Sequence, residues 1–329
     1  MTKRGLKIER PRLEFAAQVR RHVGAALTDG FFLGAATSAR YLPVAHPRVH
    51  NVTVERDLAY RDTGRAEHRL DLYRPRDAKG PLPIVLYIHG GGFRFMSKDT
   101  HWVFGLVYAR RGYLVVNVNY TLAPQHPFPA AVEDISAAWQ WLVANAGRLG
   151  GDLSRVVVAG ESAGANLAAS LALMTHVRRE ESWARDAFDT NVVPKVVVAA
   201  CGLFDVSHPE RFSHHGTYFR DRVEEVTDAY LHGVHLEDER TLELADPVVG
   251  YERLAQVDRP LPPFFLPVGT WDSLKPDTHR LATALRRLGS QSTEAREYAR
   301  GPHAFHAFVL TPTALRCWKD TFAFLDRHL

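Results

Sequence analysis

Apolar and polar positions along this chain fall into two alternating rhythms. A continuous apolar run at residues 84–88, another largely apolar run at 113–118 and strand-like runs at 155–159, 196–203 and 263–268 read as strands buried on both faces, and residues 294–298 read as a further strand. Between them, residues 102–111, 130–149, 163–178, 277–288 and 313–329 repeat apolar side chains at helical spacing. Parallel strands cannot be joined by tight turns and need crossover helices, so the alternation predicts an α/β fold. Its expected form is a mostly parallel central sheet with helices on both faces.

Two regions depart from that rhythm. Residues 52–61 and 68–73 alternate apolar with polar positions, as half-buried antiparallel strands do, and predict an edge hairpin. Ahead of them, Leu13, Phe15, Ala16, Val19, Val23, Ala26 and Leu27 recur at helical spacing, which predicts one or two amphipathic helices over residues 11–41. Residues 205–257 carry charges, histidines and aromatics (Phe212, Tyr218, Phe219, Tyr230) but no run that would extend the sheet. They predict a helical insertion over one end of the sheet, forming a cap together with the N-terminal helices.

Composition narrows the class without naming it. The 329 residues, 46% of them hydrophobic, can fill one large core. The net charge of 41 − 37 = +4 comes from scattered arginines among nearly as many acids, so the surface is mixed and gives no case for nucleic acid. The charged start (Lys3, Arg4, Lys7, Glu9, Arg10) does not resemble a signal peptide, and no apolar run reaches membrane-spanning length. Cys201 and Cys317 match no metal or redox spacing. They are expected to be reduced packing residues, which fits the cytoplasm.

The chemistry gathers at two glycine clusters. Gly160-Glu161-Ser162-Ala163-Gly164 follows a strand pattern and opens a helix pattern. A serine hydroxyl is a weak nucleophile unless a tight turn holds it beside a base, and glycines two residues either side let the backbones approach. The helix starting there also points N–H groups toward developing negative charge. His89-Gly90-Gly91-Gly92-Phe93 closes the strand at 84–88, and three consecutive glycines can turn backbone N–H groups onto a small anion. Such an anion forms when an ester carbonyl is attacked. The amides of Gly91, Gly92 and Ala163 are the expected oxyanion donors, with Gly90 as the alternative to either glycine, while His89 is expected to brace the loop.

These two clusters, with Tyr120-Thr-Leu-Ala-Pro-Gln-His-Pro-Phe-Pro-Ala130 and Val132-Glu-Asp134 between them, resemble the signature segments of the hormone-sensitive-lipase-like family of bacterial esterases. The order is that family's, and 162 − 89 = 73 positions separate the histidine from the serine. The resemblance runs from about residue 82 to the C-terminus. It implies an α/β-hydrolase fold over a single domain, 1–329, and a cap contributed by about residues 1–48 and 206–250. The chain departs from the pattern at Arg94-Phe95-Met96, where a further glycine is usual, and at Thr121 and Gln125, where Arg and Glu are common. The first places bulkier side chains near the site; the second is expected to alter local salt bridges only.

In this fold the acid and then the histidine follow the serine in chain order. Asp272, at the end of the strand pattern at 263–268, is the first choice of acid, and Asp277 is the alternative, although its position suits a helix's first turn. Two histidines compete in Gly301-Pro-His303-Ala-Phe-His306-Ala-Phe308. His303 is preferred because it follows the glycine that closes the last strand. The other is expected to support it or face the cap. His214, His215, His232 and His235 lie in the insertion without a metal-binding spacing and read as surface or cap residues.

The expected activity is hydrolysis of short to medium acyl esters by Ser162, His303 and Asp272 through an acyl-enzyme, chemistry that requires neither metal nor organic cofactor. The alternatives are amide, carbamate or lactone hydrolysis by the same residues, or ligand binding without catalysis on the same scaffold. The expected partner is a small ester, and the exposed helices are compatible with a homodimer.

Overall fold

A computed structural model describes residues 6–8, 15–236 and 238–329. The strand patterns become β1 (Val52–Ala59), β2 (Arg69–Pro75), β3 (Leu82–Ile88), β4 (Leu114–Val118), β5 (Gly151–Glu161), β6 (Val196–Ala200), β7 (Phe264–Gly269) and β8 (Glu294–Tyr298). They form one sheet in the order β1-β2-β4-β3-β5-β6-β7-β8. The hairpin β1–β2 sits at one edge, antiparallel within itself and to β4, and every other neighbouring pair is parallel.

Strand side chains point alternately to the two faces, and here both faces are core. Ile84, Leu86 and Ile88 of β3, with Val156 and Val158 of β5, belong to the core on the face covered by α3 (Ala130–Asn145) and α4 (Ala163–His176), and α8 (Lys275–Arg287) continues that layer over β7 and β8. Val85 and Tyr87, with Val157 and Ala159, face α2 (Trp102–Ala109) and α9 (Pro312–His328) through Phe104, Tyr108, Trp318 and Phe322. Each fully buried aliphatic or Phe side chain contributes about 1.5–3 kcal/mol. This double burial is why the sequence runs are continuous rather than alternating. A short helix, α5 (Ser182–Asp189), escapes the sequence pattern because it buries only Ala184 and Ala187.

The insertion carries α6 (Thr217–Leu231) and α7 (Pro247–Arg253) and does not extend the central sheet. Its short strand His235–Leu236 pairs instead with Leu6–Lys7, tying the insertion to the N-terminal segment. The predicted N-terminal helix is a single one, α1 (Phe15–Ala39); its expected start at residues 11–14 lies outside the described residues. Its apolar stripe does not face a core: Leu27 is 70% and Phe31 63% exposed. Ionic contacts hold α1 to α6. Arg20 meets Asp221 at 2.5 Å, and Arg21 reaches Glu224 and, at 3.0 Å, Asp228. Among the described residues no helix is long and apolar enough to cross a membrane.

Candidate active site

Parallel strands deliver their C-terminal ends to one edge of the sheet, where ligands bind in open α/β folds. Ser162 sits between β5 and α4 at φ 54 and ψ −119, a strained conformation for a residue with a Cβ. The flanking glycines make the turn sterically feasible. A Cβ on Gly160 would lie 2.4 Å from the Gly164 carbonyl oxygen, and one on Gly164 would lie 2.1 Å from that of Ile88. The Ser162 amide donates to the Ala200 carbonyl at 2.9 Å, fixing the turn to the end of β6.

Asp272 follows β7 and His303 follows β8. These two ends are drawn together at Gly269 and Gly301, where a Cβ on the former would meet the latter's carbonyl at 1.9 Å. His303 Nδ1 stands 2.8 Å from Asp272 Oδ2, and His303 Nε2 stands 2.9 Å from Ser162 Oγ. Burial disfavours the imidazolium, but the charge and hydrogen bond of the buried Asp272 carboxylate outweigh it and raise the His303 pKa above its ordinary value. Asp272 Oδ1 accepts from the Leu274 amide at 2.9 Å, so both carboxylate oxygens have a partner.

The two alternatives sit elsewhere. Asp277 is in the first turn of α8, where its carboxylate accepts from the Phe204 and Asp205 amides and pairs with Arg211 at 2.7 Å. His306 does not face the cap. It lies among core aromatics, its ring 5.6 Å from Phe104 and 6.0 Å from Trp318, and burial pushes its pKa down to about 4.

In the glycine loop, Gly91 has φ 108 and Gly92 φ 58, and a Cβ on Gly91 would lie 2.2 Å from the Phe95 carbonyl oxygen. The Gly90 amide is already committed: it donates to Glu161 Oε1 at 2.6 Å. Among the described residues the amides of Gly91, Gly92 and Ala163 have no partner within the chain. His89 stacks on Tyr120 at 4.3 Å, and its Nδ1 pairs with the Gly90 carbonyl at 2.8 Å. Burial and the neighbouring His101 push the His89 pKa down to about 3, so the ring stays neutral. Where Arg is common, Thr121 offers its amide to Asp134 at 2.8 Å, and the arginine facing that carboxylate is Arg61, at 2.6 Å.

The insertion lies directly over this loop. Phe93 stacks on Tyr230 at 3.9 Å, Arg94 pairs with Glu225 at 3.0 Å and with Asp29 at 3.5 Å, and Val226 would meet a Cβ on Gly92 at 2.8 Å. His214 and His215 pack on each other at 4.3 Å beside Phe212 and Phe219.

Sequence reasoning passed over the buried network beneath the serine. The Glu161 carboxylate takes hydrogen bonds from the Gly90 amide, the Tyr87 hydroxyl and His101 Nε2, the last at 2.6 Å. Burial acts against its ionisation, but the charge and hydrogen bond of His101 and the Tyr87 hydroxyl prevail and lower its pKa. The only signal was an acid at the variable position before the serine. Cys201 is free and buried, as expected of a reduced packing residue; directly after β6, its Sγ lies within 4.8 Å of the ligand atoms of Asp272 and His303.

Residues 85–307 match an alpha/beta hydrolase fold family. The carboxylesterase NlhH of Mycobacterium tuberculosis is 32% identical over 284 residues, spanning 84% of this chain and 82% of that protein. Among solved structures, a bacterial heroin esterase superposes with TM-score 0.72 at 25% identity, covering 97% of this chain and 94% of its own. An esterase of Pyrobaculum calidifontis gives 0.71 at 24% identity over 96% and 98% of the two chains, a likeness of fold.

Proposed function

The chain belongs to the α/β-hydrolase fold family, among its hormone-sensitive-lipase-like bacterial esterases, and from that premise we propose a serine carboxylesterase in which Ser162, His303 and Asp272 form an acyl-enzyme. The observation that carries the reading is the pair of contacts on one imidazole, 2.9 Å to Ser162 Oγ and 2.8 Å to Asp272 Oδ2.

His303 Nε2 takes the hydroxyl proton as Ser162 Oγ attacks the ester carbonyl carbon. Asp272 keeps the other ring proton on Nδ1 and stabilises the imidazolium. The carbonyl electron pair moves onto oxygen, where the amides of Gly91, Gly92 and Ala163 receive it; each such donor is worth about 2.7–4 kcal/mol of barrier. Collapse expels the alcohol, protonated by His303. Water, deprotonated by the same ring, then releases the acid and restores the serine.

In this reading the described parts of about residues 1–48 and about 206–250 form the cap. The buried stack of Phe93 on Tyr230 fixes it to the glycine loop, half-buried Val226 stands as an apolar side chain beside Gly92, and the substrate is an ester with a short or medium acyl chain. The decisive experiment uses p-nitrophenyl esters from acetate to palmitate with wild type and Ser162→Ala. Turnover should be greatest at short to medium chains and vanish in the variant. A maximum at palmitate sinks the chain-length proposal, and a fully active Ser162→Ala sinks the mechanism.

A further inference from the structure

Cys201, Asp272 and His303 present three different metal-ligand types in one place, brought there from the ends of β6, β7 and β8. Their Sγ, carboxylate oxygen and ring nitrogen all lie within 4.8 Å of one another. Around zinc, with bonds of about 2.0–2.3 Å, neighbouring tetrahedral ligand atoms stand about 3.3–3.6 Å apart. From separations of up to 4.8 Å the thiol must close by about 1 Å or less, within reach of a side-chain rotation, and the 2.8 Å His303–Asp272 contact must open by about half an ångström.

We propose that these three side chains form an inhibitory site for a thiophilic divalent cation such as zinc or cadmium, which captures the imidazole needed by Ser162. On binding, the thiol releases its proton to solvent, and the His303 proton moves from Nδ1 to Nε2, freeing the Nδ1 lone pair. Thiolate, carboxylate and dication sum to zero charge, so the buried site carries no net ion. The captured ring has lost its tie to Asp272, and its Nε2 now bears a proton and cannot accept one from Ser162.

Backbone hydrogen bonds hold the Cys201 main chain beside the pair, leaving the side chain to rotate. The Cys201 amide donates to the Pro267 carbonyl at 3.0 Å, and the residue before it accepts from the Ser162 amide at 2.9 Å. Cys201 and Asp272 are buried, while the His303 side chain is 40% exposed and gives the ion its way in. A tetrahedral ion with three protein ligands keeps a fourth position for water. Soft thiolate favours zinc or cadmium over magnesium.

The test is ester turnover by the full chain titrated with Zn²⁺, Cd²⁺ and Mg²⁺, each variant referred to its own metal-free rate. Wild type should lose at least tenfold in rate to Zn²⁺ or Cd²⁺ and recover with chelator. Cys201→Ala and the near-isosteric Cys201→Ser should need at least tenfold more metal for half-inhibition. Unchanged sensitivity in both variants overturns the proposal, as does a wild type indifferent to both ions or equally inhibited by Mg²⁺.

A second readout does not depend on catalysis. Ser162→Ala should bind one Cd²⁺ per chain with the ultraviolet absorption of a cadmium–thiolate bond. Cys201→Ala should lack that band, and Cys317→Ala should keep it. Absence of the band in Ser162→Ala defeats the metal site even if the esterase mechanism stands. Its presence supports the site even if that mechanism fails.

Discussion

Glu161 Oε1 accepts the Gly90 amide proton at 2.6 Å, so the residue immediately before the proposed nucleophile anchors the loop that carries the proposed oxyanion donors. The carboxylate is buried and also receives Tyr87 and His101. One side chain thus ties the end of β3 to the end of β5.

Glu161→Gln keeps the shape but removes the charge on which the Gly90 amide and His101 converge. It also turns one acceptor oxygen into an amide donor, which either opposes those N–H groups or reverses the Tyr87 hydroxyl bond. Displacing the loop should lower kcat by ~10- to 100-fold with KM much less affected. Losing hydrogen bonds to a charged group should also reduce stability by about 1.5–3 kcal/mol. Steady-state kinetics and a denaturant melt check both. A variant with unchanged kcat would mean that the tie does not set the donor geometry.

The proposed base works only when neutral. Because Asp272 raises the His303 pKa, activity should be low in acid and rise with pH through an apparent pKa above the ordinary histidine value of about 6.5. Asp272→Asn removes the charge that raises it, so the remaining activity should titrate at lower pH, with kcat down ~10³- to 10⁴-fold. A pH–rate profile of kcat/KM for both proteins measures this. An Asp272→Asn profile shifted upward contradicts the assignment.

His303 and His306 share the same local sequence, Ala-Phe following each, but not the same surroundings. His303→Gln should lose turnover by ~10³-fold or more. His306→Gln should keep turnover within severalfold and lose about 1–3 kcal/mol of stability, since the ring fills space between Phe104 and Trp318. Paired kinetics and thermal melts separate them, and the reverse ranking would move the proposed base to His306.

Two glycines in left-handed backbone offer a steric contrast. Gly91, φ 108, has no room for a Cβ against the Phe95 carbonyl oxygen at 2.2 Å, while Gly112, φ 95, has nothing within 4 Å. Gly91→Ala should distort the loop and cut kcat by ~10²-fold or more. Gly112→Ala should cost about 1–3 kcal/mol of backbone strain and leave kcat near wild type. Equal effects on kcat would show that the loop conformation does not matter to turnover.

Local chemistry made much of this legible in the amino-acid order. Double burial writes strands such as 84–88 as unbroken apolar runs, and crossover helices write the complementary spacing. The turn at Gly91, φ 108, demands glycine by its own backbone, and the one at Gly160 demands it because the Gly164 carbonyl four residues on leaves no room for a Cβ. The candidate serine, acid and histidine are legible in the sequence because they follow such turns and strand ends. What the chain order could not hold is convergence across strands. The order β5-β6-β7-β8 sets which ends stand side by side, and it alone brings His303 to Asp272, sends His306 into the aromatic core and places Cys201 beside the pair. Nor does helical periodicity say what a helix will touch. Ion pairs with Asp221, Glu224 and Asp228 hold α1 on α6 while its apolar stripe faces outward, because attraction between charges on two helices is a property of their arrangement in space, not of spacing along either one.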